Sequence, residues 1–156
     1  MKYILVFIVF LIMDACSKDL TSNIHGLTQI ETFIYPNGET FSSFSDSNSW
    51  TNSLGDYGKG KCMGIVSSNK IDIVCENTNQ KNEKFWSKSI RTDSNIEKKL
   101  IEDRGVGKSI IIHGTGKYKH LIGITCPYAV TYLENRYYTV EKCNLPDEIY
   151  NLLSSN

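Results

Sequence analysis

Five cysteines, at positions 16, 62, 75, 126 and 143, are the residues whose type and spacing could do chemistry. Three roles compete for them. A structural zinc site wants Cys or His pairs at short spacing, of the C-x₂₋₄-C kind. From Cys62 onward the intervals are 13, 51 and 17 residues and no C-x-x-C occurs, so no metal is expected. A nucleophilic thiol needs a base beside it, and no local motif places a His next to any of these cysteines. In an oxidising compartment, an even set of cysteines reads as disulfides.

The compartment is read from the opening "MKYILVFIVFLIMDAC". Lys2 is a short basic segment, and residues 3–13 form an unbroken apolar run of eleven. Spanning a bilayer takes about 20 residues, whereas eleven fit the core of a signal peptide. Residues 1–17 are therefore expected to be a signal peptide and the chain to be exported, periplasmic or extracellular. Two cleavage points compete. The segment before Cys16 resembles a bacterial lipobox, with Ala15 and Cys16 matching and Met13 and Asp14 departing. Cleavage there would place a diacylglycerol on Cys16, the sole membrane attachment the sequence suggests. A cut after Ser17 also satisfies a small-x-small rule through Ala15 and Ser17.

Losing residues 1–15 removes Lys2 and Asp14, leaving 16 basic and 16 acidic side chains. A neutral chain without a basic block is a poor partner for nucleic acid or an anionic lipid surface. No N-x-S/T acceptor for N-glycosylation occurs.

With Cys16 assigned to cleavage or lipidation, four cysteines remain, and hairpin arithmetic pairs them. "GKGKCMGIVS" and "KIDIVCEN" are β-rich runs meeting at a polar "SSNK". A turn centred on Ser68 and Asn69 makes opposed residue numbers sum to 137, so Val66 faces Ile71, Gly64 faces Ile73 and Cys62 faces Cys75. The runs "LIGITCPYAVTYL" and "RYYTVEKC" flank Glu134 and Asn135; opposed numbers then sum to 269, and Cys126 faces Cys143. Both pairs fall at non-hydrogen-bonded positions, where Cα atoms stand about 4.5 Å apart, within disulfide reach. Cross-pairing, such as Cys75 with Cys126, stays open at this stage.

The elements carrying these cysteines are strand-like and punctuated by turns. After a polar leader over 18–24, "LTQIETFIY" runs to a turn at Pro36-Asn37-Gly38, and "ETFSSFSDS" carries Phe41 and Phe44. Gly55, Gly58 and Gly60 suggest a bend before the first cysteine strand, and "EKFWSKSIRT" supplies another strand. Ser94 and Glu97 stand at capping-box spacing, and Ile96, Leu100 and Ile101 follow with helical periodicity until Gly105. "LPDEIYNLL" reads as a last helical turn with Pro146 near its start. Eight or nine short strands linked mostly by hairpins read as a barrel or sandwich. The expected fold is all-β: a single antiparallel eight-stranded barrel over 25–156 with one or two short helical segments.

The most specific stretch is "IIIHGTGKYKHLIGITC", residues 110–126. An apolar strand is followed by Gly114-Thr115-Gly116-Lys117-Tyr118, with Gly123 seven residues after Gly116. This resembles the signature of the allene oxide cyclase and dirigent barrels, which implies an eight-stranded antiparallel barrel. His113 stands where dirigents usually carry another Gly, and no motif accepts the catalytic residues of those families. The resemblance therefore implies a fold more than an activity. Elementary physics reads the same glycines as turn residues supplying positive φ. Neither lysine here makes a phosphate loop: Tyr118 follows Lys117, and Glu102 stands where Gly107-Lys108-Ser109 would need a first glycine. No cofactor is expected.

A site is sought on the inner face. Ile122, Ile124, Cys126, Tyr128, Val130 and Tyr132 share one strand face, and the 269 register sets Val130 opposite Thr139, Tyr132 opposite Tyr137 and Tyr128 opposite Glu141. A carboxylate on an apolar face is costly unless paired. Glu141 is expected to bond the Tyr128 hydroxyl or to sit at a wet mouth; if buried, its pKa rises. Tyr128, Glu141 and Tyr137 are the candidate ligand-binding residues, and no residue is assigned a catalytic role. His113, His120 and Arg91 are further polar candidates, while Trp50, Phe85 and Trp86 read as core or rim aromatics. Two functions compete: a non-enzymatic exported barrel binding a small apolar molecule or an envelope protein, and a cyclase or isomerase working in the cavity. An open cavity of a few hundred Å³, roughly, containing Glu141 and Tyr128 would favour the second.

Overall fold

The computed structural model describes residues 17–67, 70–91 and 104–155. They form β1 (Ser17–Ile34), β2 (Thr40–Asn52), β3 (Tyr57–Ser67), β4 (Lys70–Asn79), β5 (Lys84–Arg91), β6 (Arg104–Gly114), a 3₁₀ helix (Gly116–Leu121), β7 (Thr125–Leu133), β8 (Arg136–Pro146) and α1 (Asp147–Ser154). The eight strands close into one barrel in sequence order, β8 pairing back onto β1. Closure leaves no long unpaired edges, the usual hazard of small all-β proteins.

The two cysteine hairpins have the register the sequence dictates. Val66 pairs with Ile71, Gly64 with Ile73 and Cys62 with Cys75; Tyr128 pairs with Glu141, Val130 with Thr139 and Tyr132 with Tyr137. Both disulfides form, Cys62–Cys75 with Cα atoms 4.0 Å apart and Cys126–Cys143 with 4.3 Å. Cross-pairing is thereby excluded. The Pro36-Asn37-Gly38 turn is present, with Gly38 at φ 84° and its N–H donating to Tyr35 O.

Three expectations need correction. Residues 18–24, read as a leader, are the first part of β1: Lys18 pairs with Leu145 and Ser22 with both Asn52 and Glu141. The inward positions of this stretch are Leu20, Ser22 and Ile24, and the serine breaks the apolar alternation that would have marked a strand. The stretch after Gly114 does not continue as β structure but winds into the 3₁₀ helix. Ile122, placed on the inner face by strand periodicity, is 49% exposed beyond that helix; Gly123 at φ 87° turns the chain before β7 starts. The helix expected over 94–105 falls largely outside the described residues, as does Cys16.

Inward side chains gather at two levels. Near one end, Leu20, Trp50, Ile111, Tyr118, Leu121, Leu145 and Leu153 pack around Cys126–Cys143. α1 and the 3₁₀ helix both contribute to this cluster, so this end is plugged. Toward the other end, Phe44, Val66, Ile71 and Ile73 pack around Cys62–Cys75. Each disulfide thus belongs to the core of one level.

Candidate functional site

Alternation along the strands sends every second side chain into the barrel. Between the two apolar levels those side chains bound a cavity of about 110 Å³. Phe44, Ile71, Ile73 and Val130 form its apolar wall; Asp46, Asn48, Asn77, Ser109, Tyr128, Tyr137 and Glu141 supply its polar groups. The three residues singled out from sequence, Tyr128, Tyr137 and Glu141, all line it.

Glycines on neighbouring strands make room for the tyrosines. Gly107 pairs with Tyr128, and a Cβ on that glycine would stand 2.5 Å from the phenol carbon and oxygen. Gly26 pairs with Tyr137, and a Cβ there would meet the ring at 2.5 Å. The phenol end of each ring therefore occupies space over the neighbouring strand that a side chain there would fill. From Gly26 the Tyr137 hydroxyl donates to Asp46 Oδ2 at 2.9 Å.

Glu141 sits between Ser22 on β1 and Tyr128 on β7 and accepts a hydrogen bond from the Ser109 hydroxyl on β6. The sequence set Glu141 opposite Tyr128 or at a wet mouth; the bond from Ser109 comes from one strand further. Burial pushes the Glu141 carboxyl up to about 6, and the Ser109 bond offsets this only in part. Asp46 is also raised by burial, although Tyr137, Asn48 and the Cys62 N–H all donate to it. Tyr137 in turn is pushed up by burial and by the Asp46 charge beside it. Among the described lining residues there is no Lys, Arg or His.

In the cavity lining, two buried polar atoms lack a hydrogen-bond partner among the described residues: Asn48 Oδ1 and Trp50 Nε1. Trp50 is 4% exposed and stacks edge-on against Phe85 and Tyr118, whose centroids lie 5.5 and 6.4 Å away. Trp86 is on the other face, where its Nε1 donates to Glu76 at 3.2 Å. His113 and His120 are exposed, His113 against Trp86, and neither lines the cavity. The side chain of Arg91 lies outside the described residues.

The Gly114–Tyr118 stretch has a different job. It builds the plug. Lys117 is buried and its Nζ lies 2.8 Å from Asp56 Oδ2, while also donating to Leu153 O at 3.3 Å. The Tyr118 hydroxyl donates to the same carboxylate at 2.9 Å and accepts from Asn79 at 3.3 Å. Thr115 Oγ1 accepts the Lys84 N–H at 2.7 Å, which ties the loop to β5. Gly116, at φ 52°, leaves space for Glu83, which accepts the Lys117 N–H at 3.2 Å. Burial pushes the Asp56 carboxyl up, but bonds from Lys117, Tyr118 and Gln80 outweigh it and hold it below the ordinary value. Asp56 was not a candidate from the sequence, where "LGDYG" reads only as a bend. Lys117 belonged to a recognisable motif, but nothing local names its partner 61 residues away.

No family model matches the sequence, and no curated protein matches it.

Proposed function

We propose that this chain is an exported, disulfide-stapled β-barrel that holds a small molecule in its interior without converting it. The observation that carries this reading is the cavity of about 110 Å³, where an apolar wall faces Glu141, Tyr128 and Tyr137. An apolar wall facing placed polar groups is a composition that small-molecule sites use to hold and orient a ligand. Two disulfides are consistent with an oxidising, extracytoplasmic location. The apolar run over 3–13 supports export, and lipidation at Cys16 would add a membrane anchor. The resemblance of Gly114–Tyr118 to the allene oxide cyclase and dirigent barrels supports the same reading, because the eight-stranded antiparallel closure is what that resemblance implies.

A cyclase or isomerase is the second reading. It is favoured by one observation, a Glu141 carboxyl raised to about 6 and facing a cavity with Tyr128, since an acid tuned toward neutrality suits proton transfer. The volume argues for binding instead: pockets for drug-sized molecules run to about 300–1,000 Å³, and an intermediate that must refold in place needs that room. Native mass spectrometry of protein purified from its own envelope tests the choice. A retained adduct that leaves chemically unchanged on denaturation is expected. Recovery of a substrate–product mixture from the barrel would favour the enzyme, and protein that carries and takes up no small molecule would overturn both.

A further inference from the structure

The cavity is rich in acceptors, and none of its described lining residues is a cation. Glu141 and Asp46 both face it, and no Lys, Arg or His lines it among the described residues. Ion pairs between described residues lie elsewhere, among them Lys117–Asp56 in the plug, and Lys61–Glu76, Lys84–Glu76, Lys88–Asp72 and Lys142–Asp19 on partly or largely exposed side chains. A buried carboxylate is ordinarily paired or neutralised, and Glu141 receives the neutral Ser109 hydroxyl in place of a cation.

The amides give a second, independent indication. Asn48 Nδ2 is used on Asp46, leaving Oδ1 buried and unpartnered among the described residues. Asn77, 7% exposed, reaches the same place from β4: its Oδ1 and that of Asn48 crowd the space over Gly60, 2.3 and 2.5 Å from where a Cβ would stand. Of these two converging oxygens, Asn48 Oδ1 lacks a donor among the described residues.

We propose that the ligand of the barrel is a small organic ammonium ion, with its charged head at Glu141 and its short apolar body against Phe44, Ile71, Ile73 and Val130. The proposal rests on the binding reading above and names its ligand class. An ammonium supplies the missing countercharge and several N–H donors at once, and charge-assisted bonds to a carboxylate are the strong ones. At roughly 10–15 Å³ of such space per water-sized group, the cavity suits a molecule of a few heavy atoms.

The test uses the mature, oxidised chain titrated calorimetrically with n-butylammonium, n-butanol and butyrate. The ammonium is expected to bind at least tenfold tighter than the alcohol, and butyrate weakest. Glu141→Gln keeps the side-chain shape and is expected to weaken n-butylammonium at least tenfold while leaving n-butanol within twofold. Should that variant fold poorly, the wild-type chain answers alone. Its ammonium affinity falls about tenfold from pH 7.5 to pH 5 as Glu141 takes up a proton, with n-butanol unchanged. The other titratable groups facing the cavity are Asp46, Tyr128, Tyr132 and Tyr137; Asp46, also raised by burial, is the other carboxyl there, and repeating the pH series on Glu141→Gln separates its contribution from that of Glu141. Equal affinity for alcohol and ammonium overturns the ammonium assignment and leaves the binding barrel standing. Failure of all three probes at millimolar concentration overturns both.

Discussion

Asp56 and Glu141 are both carboxylates inside one barrel, and their surroundings push them in opposite directions. In the plug, Asp56 receives Lys117, Tyr118 and Gln80 and is held below its ordinary value. In the cavity, Glu141 receives one serine hydroxyl and rises to about 6. Burial acts the same way on both; what differs is whether a described residue provides the countercharge. A satisfied buried ion pair is architecture. A carboxyl bonded by a hydroxyl and by no described cation, next to a cavity, is where the proposed ammonium would sit.

The largest test of this contrast removes the countercharge in the plug. Lys117→Met leaves Asp56 buried without its cation, and breaking a buried pair in this way costs about 3–5 kcal/mol. Denaturant unfolding of the variant should show that loss, and an unchanged midpoint would mean the pair holds nothing together. Next in size is the staple of the other level. Closing the loop from Cys62 to Cys75 is worth roughly 3 kcal/mol in the chain-entropy model, so the Cys62→Ser/Cys75→Ser double variant should unfold earlier by that amount. Non-reducing peptide mapping of the parent should join Cys62 to Cys75 and no other cysteine.

In the cavity the sign reverses. A carboxyl whose folded pKa is raised costs stability once the unfolded chain ionises; for Glu141 that cost grows as pH climbs from 4.5 to about 6 and is constant above. Each tenfold change in proton affinity is worth about 1.4 kcal/mol. Glu141→Gln should therefore stabilise the ligand-free protein by up to about 2 kcal/mol at pH 7.5, and hardly at all at pH 4. Thermal melts at both values read this directly, and a destabilising effect at pH 7.5 would show Glu141 to be paired after all. Asp56 follows the opposite course: its lowered carboxyl contributes stability above its ordinary range that is lost as pH falls through the folded value. The smallest effect belongs to Tyr137→Phe, which deletes one hydrogen bond to Asp46 at a cost of about 1 kcal/mol, measurable as a small shift in denaturation midpoint.

How far the sequence reached follows from the range of each interaction. The hairpin registers were legible because both strands of a hairpin lie within about 20 residues of each other in the sequence, and a polar turn between two β-rich runs sets every opposed pair at once. The same local rule put Glu141 opposite Tyr128 and on the inner face. It failed at Ser22, where a polar inward residue disguised a strand, and at Ile122, where the 3₁₀ helix interrupted the period. The bond from Ser109 to Glu141 was not legible because Ser109 stands two strands away, on β6.

The sequence by itself determined the class of fold, the register of the two cysteine hairpins and the inward face of β7 and β8, since these depend on alternation and on short-range pairing; the structure excluded cross-pairing of the cysteines. Barrel closure decided the rest. Only when β8 returns to β1 do Asp46, Asn77, Ser109 and Glu141, from four different strands, come to face one cavity. Only then does Lys117 meet Asp56 across 61 residues. Which buried charge is paired and which is left open is a property of three-dimensional neighbours, because electrostatic and desolvation energies depend on distances through space and not along the chain.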